Sequence, residues 1–270
     1  ISNYLAHKIR KVYLISVSKK YKKKFSKKID LIFPNLNIWD KLNRKIKYAV
    51  CLFLLLNKVI FDKNVVVLCF QANIYCTILC KIFNIKIIVR SNASPSGWSN
   101  NFLKKFIFRV ILNKADKVLV NSFQFKRQLK KEFNLISECI YNPLDIKEIK
   151  IKSKSIKSKI FKKNKVPKII NVGRLTEQKD QITLLKSLKL IKDEILFEAV
   201  IIGNGILKEN LINFIKKNNL KKNIKFLNFV TNPFPLIKQA DIFVLSSKYE
   251  GLPNVLLESL TLNKFIISSN

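Results

Sequence analysis

Short apolar runs alternate along this chain with stretches in which apolar residues recur every three to four positions. Nine runs predict strands: Val12–Val17, Val65–Phe70, Lys86–Arg90, Lys117–Asn121, Lys168–Val172, Glu198–Gly203, Ile224–Phe229, Asp241–Ser246 and Phe265–Ser268. Several are uninterrupted, the pattern of strands covered on both faces of a parallel sheet. Leu184, Leu185, Leu188 and Ile191 share one face of a helix expected over Ile182–Lys192. Leu207, Leu211, Ile212 and Ile215 do the same over Leu207–Lys217. Ser122 is placed to cap a helix over Phe123–Lys131. Strands alternating with helices predict an α/β protein with parallel sheets.

The alternation breaks at 148–166, where Ile151–Lys159 is mostly Lys and Ser, between Asn142-Pro143 and Pro167. This stretch is expected to be a linker, giving two Rossmann-like domains at 1–147 and 167–270. The chain begins at Ile1, without Met, and stops just after an apolar run. Both ends are therefore expected to be missing, so that the chain is a fragment.

Composition narrows the function. With 48% hydrophobic and 26% charged residues the chain is globular, not a disordered tail. The net charge is +35, and much of it follows from a Lys-, Ile- and Asn-rich composition of the kind AT-rich codons favour. Its distribution is uneven: residues 1–166 hold 37 basic and 8 acidic residues, and 167–270 hold 15 and 9. An anionic membrane surface is the expected partner of the first half. Nucleic acid is disfavoured, because base readers rely on Arg and only six are present. Tyr48–Phe61 is strongly apolar but shorter than the ~20 residues that span a bilayer, and reads as a buried helix. Cys51, Cys69, Cys76, Cys80 and Cys139 form no CxxC pair and read as reduced core residues of a cytosolic protein. A single histidine, His7, excludes a His-rich metal centre.

Candidate chemistry lies in three loops after predicted strands of the second domain. Ligands of open α/β sheets bind beyond the carboxyl ends of strands, so these loops are expected to face one site. Gly173-Arg174-Leu175-Thr176-Glu177-Gln178-Lys179-Asp180 places two cations before a helix, a combination that suits a diphosphate. It would equally serve as an ordinary turn with solvated charges. Gly203-Asn204-Gly205 lacks the third glycine of a dinucleotide loop and reads either as a nucleotide lining or as a tight turn. In the third loop Glu250 precedes Gly251-Leu252-Pro253, and Glu258 follows eight positions later, about two turns into a helix. Carboxylates so placed can accept hydrogen bonds from polyhydroxyl ligands, or serve only as a cap and a solvated residue.

Taken together, these segments resemble the donor half of glycosyltransferase family 4, of the GT-B fold. The E-x7-E motif matches Glu250 to Glu258, and G-R-L-x-x-x-K matches Gly173, Arg174, Leu175 and Lys179. Asn228–Pro233 and Ala240–Ser247 are also similar, so the resemblance covers essentially all of 167–270. It implies two Rossmann-like domains with parallel sheets facing across a cleft. It implies that Arg174 and Lys179 hold the nucleotide diphosphate and offset its charge as it leaves. Glu258 would bind the ribose, Glu250 would orient the transferred sugar against Gly251 and Leu252, and Gly203 and Asn204 would line the nucleotide. It implies retention of configuration and no metal or other cofactor.

The first domain resembles the family less. Many members carry a histidine near the sugar where Arg90, Ser91 and Asn92 open the loop Arg90–Trp98, leaving the acceptor-side group open. The expected function is transfer of a hexose-type sugar from a nucleotide-sugar donor to a glycan or lipid-linked acceptor in envelope polysaccharide synthesis. The expected location is cytoplasmic and peripheral, on the inner face of the membrane. Two rivals stand beside it: a sugar-nucleotide epimerase on the same scaffold, and a basic non-enzymatic module that binds membranes.

Overall fold

The computed structural model describes residues 1–19, 22–35, 37–92, 101–155, 159–162 and 165–269. The chain forms two compact units, Ile1–Pro143 and Leu144–Asn270.

The first unit opens with α1 (Ser2–Lys8), β1 (Val12–Ile15), β2 (Ile29–Ile32) and α2 (Arg44–Phe61). It continues through β3 (Val66–Cys69), α3 (Asn73–Ile82), β4 (Lys86–Ser91), α4 (Phe102–Leu112), β5 (Lys117–Val120), α5 (Phe123–Phe133) and β6 (Glu138–Cys139). Strands β3-β4-β5-β6 form a parallel sheet in that order, while β1 and β2 pair separately, also in parallel. Ile87, Val89, Val118 and Val120 of the sheet pack in one core with Leu55 and Val59 of α2, Cys80 of α3, Leu112 of α4, and Phe125 and Leu129 of α5. Helices α2 to α5 therefore share one face of the sheet, as right-handed crossovers require when strand order advances in one direction. Ser122 caps α5 as expected, its Oγ accepting from the Phe125 N–H at 3.2 Å.

Expectation and structure differ at α2. The segment read as a buried helix begins earlier, at Arg44, and only Leu55 and Val59 are fully buried while Phe53 and Phe61 stand exposed. Apolar residues occupy its outward positions as well as its inward ones, which concealed the amphipathic placement. Among the described residues no helix is long and apolar enough to cross a membrane. The five cysteines are free; burial pushes the Cys80 thiol up to about 11, and the hydrogen bond with Cys69, followed by burial, raises that of Cys76.

The second unit contains α6 (Ile146–Lys152), β7 (Lys168–Val172), α7 (Gln181–Ile191), β8 (Glu198–Ile202), α8 (Lys208–Lys217), β9 (Ile224–Leu227), α9 (Phe234–Gln239), β10 (Ile242–Leu245), α10 (Asn254–Thr261) and β11 (Phe265–Ser268). Its parallel sheet has the order β11-β10-β7-β8-β9. Ile170, Val200 and Phe243 point to one core, Ile169, Ala199 and Ile201 to the other. Successive side chains of a strand face opposite sides, so both faces are covered and the strands read as unbroken apolar runs.

The stretch 148–166 is not a linker in its described part. Asp145 caps α6 by accepting from the Glu148 N–H at 2.8 Å. Ile149, Ile160 and Phe161 then bury in the core of the second unit, anchored by the Ile160 N–H to Gln239 Oε1 at 3.0 Å. Low complexity hid three apolar residues spaced to reach that core. Lysines credited to the first half therefore belong to the second unit. Unit 1 holds 28 basic and 6 acidic residues, net +22, and unit 2 holds 24 and 11, net +13.

Candidate functional site

Strand order sets the place of the site. From β7 the chain winds outward through β8 and β9, then returns across the sheet to lay β10 on the other side of β7. The loops leaving β7 and β10 thus diverge at a topological switch point, where open α/β sheets bind ligands.

Three loops meet there. The loop after β7 is fastened to the loop after β8: the Gly173 N–H donates to Ile202 O (3.0 Å), Leu175 N–H to Asn204 O (3.0 Å), and Leu207 N–H to Leu175 O (3.2 Å). Leu175 is fully buried and acts as the peg between them. On its other side the same loop is fastened to the loop after β10. The Lys248 N–H donates to Gln178 O (2.8 Å), Gln178 Nε2 to Tyr249 O (3.1 Å) and Ser246 Oγ to Lys179 O (3.2 Å). The Lys179 ammonium is ion-paired with the Glu250 carboxylate, both largely buried.

The glycines divide into two kinds. A Cβ at Gly203 would lie 1.9 Å from the Gly173 carbonyl oxygen, and one at Gly205 would lie 2.2 Å from that of Leu175. Both are glycine so that two loops can touch, and neither has positive φ. Close packing of the two loops, which neither the nucleotide-lining nor the tight-turn reading anticipated, requires both glycines. Gly173 is different: the nearest atoms to a Cβ there would be Gln181 Nε2 and Lys179 Cδ, each at 3.7 Å, and Lys179 Cγ at 3.8 Å, ordinary contact. Among the described residues nothing requires its missing side chain.

Arg174 and Lys179 lie on one loop in unlike settings. Arg174 is exposed, and its guanidinium has no partner among the described residues. Its carbonyl is held by Gln181 Nε2 at 3.0 Å. Asp180 occupies the N-cap of α7 and accepts from Thr183 Oγ1 at 2.8 Å. That carboxylate opposes the positive end of the helix, so an anion at this loop depends on the two side-chain cations.

Glu258 stands in α10, which starts at Asn254, so it lies one turn in and not two. The Gly251-Leu252-Pro253 segment stays outside the helix and delays its start. Glu258 is half-buried, and its carboxylate has no hydrogen-bond donor among the described residues. Burial pushes its pKa up from the ordinary glutamate value. Gly251 and Leu252, in the segment that precedes α10, are half-buried, and Asn204 is exposed.

Sequence reasoning missed the polar floor of this site. Asn171 Oδ1, Thr176 Oγ1, Gln181 Oε1 and Ser247 Oγ are buried without a hydrogen-bond partner. Among the described residues they are all the buried side-chain polar atoms of the second unit left in that state, and they sit at the end of β7, in the loops after β7 and β10, and at the first residue of α7. Buried polar groups are normally satisfied, so these four atoms are open to a hydrogen-bonding partner from outside the chain. Asn171 interrupts the apolar run Ile169–Val172, and that interruption was the available signal.

The first unit holds four buried side-chain polar atoms in the same state, Asn73 Oδ1, Asn121 Oδ1, Gln128 Oε1 and Ser137 Oγ. Arg90 is buried, and its guanidinium donates to Ile140 O and Asn142 Oδ1 (both 2.9 Å) and to Asn92 Oδ1 (3.2 Å). It ties the end of β4 to the exit of β6. The rest of the loop, 93–98, lies outside the described residues. No group of three or more His, Cys, Asp or Glu among the described residues could hold a metal ion.

Comparison with known proteins agrees with this geometry. Residues 152–270 match the family described as glycosyl transferases group 1. An uncharacterized glycosyltransferase of Methanocaldococcus jannaschii is 34% identical over 209 residues, covering 72% of this chain and 51% of that protein. A Campylobacter jejuni enzyme, N-acetylgalactosamine-N,N'-diacetylbacillosaminyl-diphospho-undecaprenol 4-alpha-N-acetylgalactosaminyltransferase, is 29% identical over 206 residues, covering 73% and 54%. The chain thus spans about half the length of these curated relatives. Among solved structures, Anabaena HepE in complex with UDP superposes with a TM-score of 0.70 at 13% identity, over 96% of this chain and 80% of that one.

Proposed function

We propose that this chain, whose residues 152–270 belong to the glycosyl transferases group 1 family, is part of an enzyme that moves a hexose-type sugar from a nucleotide donor to a lipid-linked glycan. The observation that carries the reading is the set of unpartnered buried polar atoms at the switch point beside Lys179. Such a floor suits a polyhydroxyl ligand with an anionic tail.

The roles follow from what each group can do. Breaking the bond between the anomeric carbon and the phosphate oxygen leaves negative charge on the diphosphate. Arg174 and Lys179 meet that charge, and cations fixed in advance where charge develops are a strong catalytic device. The proposal assigns this task to them and asks for no metal or other cofactor. The bare backbone at Gly173 admits the diphosphate between Lys179 and Gln181. Glu258, lacking donors of its own, accepts from the ribose hydroxyls; Glu250 accepts from the sugar, with Gly251 and Leu252 against it. Asn204 and Gly203 border the nucleotide. We further propose that configuration is retained and that the enzyme works at the inner membrane face, where lipid-linked acceptors are held. The Campylobacter relative's name places its own acceptor on diphospho-undecaprenol, and the Anabaena structure holds UDP.

The test is an assay of the full-length protein with a panel of nucleotide sugars and polyprenyl-diphosphate-linked acceptors. The expected result is a longer glycan whose new linkage keeps the donor's configuration. Isomerisation of the donor with no transfer would establish the epimerase instead.

A further inference from the structure

The outer surface of the first unit is unlike that of an ordinary surface helix layer. Because α2 to α5 all pack on one face of the sheet, their opposite sides form a common exterior. On α4, Phe102, Leu103, Phe106, Ile107 and Val110 are all exposed. At 100° per residue these five cover a continuous arc of about 140°, opposite the side that carries Leu112 into the core. Arg109 borders that arc on one side and Lys104 on the other, both exposed. Helix α3, packed beside α4, adds exposed Ile78 and Ile82.

The neighbour on the other side is basic. Helix α5 packs against α4, joined by the ion pair of Lys105 with Glu132. Its exposed positions include Lys126, Arg127, Lys130 and Lys131. An apolar strip with cations along its margins matches the interface of an anionic bilayer, apolar side chains entering the acyl boundary while lysines meet headgroups. Purely hydrophobic protein partners would not call for the rim, and nucleic acid would not call for the strip.

We infer that the outer faces of α3 and α4, with the lysine face of α5, form the surface by which this protein docks on an anionic membrane. The inference rests on the membrane placement proposed above and assigns it to particular side chains. Flotation needs no donor or acceptor, so its outcome is independent of whether sugar transfer is found.

The experiment floats the full-length protein with vesicles of phosphatidylcholine alone or with about one-third phosphatidylglycerol, at low and high salt. Wild-type protein is expected to float with the anionic vesicles and to be released by salt. Phe106→Ser with Ile107→Ser, both exposed and outside the core, should weaken binding at least tenfold. Lys130→Glu with Lys131→Glu should weaken it while leaving the folded state intact by circular dichroism. Undiminished binding by both variants would overturn the inference, as would equal flotation with neutral vesicles. So would sedimentation showing a lipid-free oligomer that the Phe106→Ser, Ile107→Ser protein no longer forms, since a second copy would then cover the face.

Discussion

Lys179 and Glu250, 71 residues apart in sequence, are ion-paired at the switch point of the second sheet, each with most of its side chain buried. In the proposed enzyme they serve different parts of one donor. Lys179 meets the diphosphate and Glu250 the sugar, so the pair must loosen or be shared when the donor arrives. Glu250→Gln should therefore impair transfer while tightening binding of the bare nucleoside diphosphate, which no longer competes with the carboxylate for Lys179. Calorimetric titration reads this directly. Weaker diphosphate binding in this variant would reverse the roles of the two glutamates.

The glycines offer a sharper contrast. Gly203→Ala must push a methyl group into the Gly173 carbonyl and should cost about 1–3 kcal/mol of stability, lowering the melting temperature. Gly173→Ala fits without a clash and should melt like the wild type, yet lose donor binding because the methyl group fills the space left for the diphosphate. Equal melting temperatures for both variants would contradict the first half of this, and full donor affinity in Gly173→Ala the second.

Much of this was legible in the sequence. All nine expected strands exist, because strands covered on both faces must be apolar throughout and so announce themselves. Two strands were missed. In β2, Asp30 interrupts a four-residue run, and β6 has only two residues. The α6 segment was lost because its lysines outnumber the isoleucine that anchors it. The three loops of the site could be recognised as loops, but their fastening could not. The bonds from Gln178 to Tyr249 and from Leu175 to Asn204 depend on strand order, which local pattern does not encode. The purpose of Gly203 needed coordinates as well, since a glycine kept for close approach and one kept for a turn are the same letter.

Glu258 should reveal itself through pH. Burial raises its folded-state value above the unfolded one, so folding favours the protonated form. Stability from this group is full below the unfolded value and is lost as pH rises through the raised folded value. At neutral pH Glu258→Gln should therefore melt higher than wild type in the absence of ligand, with the difference vanishing in acid. Its affinity for the nucleoside diphosphate should fall, since a buried hydrogen bond to a charged group contributes about 1.5–3 kcal/mol. A melting difference that is constant with pH would show that desolvation of Glu258 is not its source.

Arg174 is exposed and has no partner for its guanidinium among the described residues, so removing it should leave the fold unchanged. If it meets charge that develops only as the diphosphate departs, Arg174→Ala should lower kcat about 100-fold or more with little change in KM. A rise in KM with kcat preserved would make it a binding group only.

The central claim is that the switch-point loops of the second unit hold a diphosphate through Lys179. Its most direct test is calorimetric titration of the protein with UDP and GDP, comparing wild type, Lys179→Met, and Lys179→Met combined with Glu250→Gln. The double variant removes the lysine without leaving Glu250 to repel the anion. The account predicts that wild type binds at least one of these diphosphates and that both variants bind it at least tenfold more weakly. A wild type that binds neither, or a double variant that binds as tightly as wild type, would contradict it.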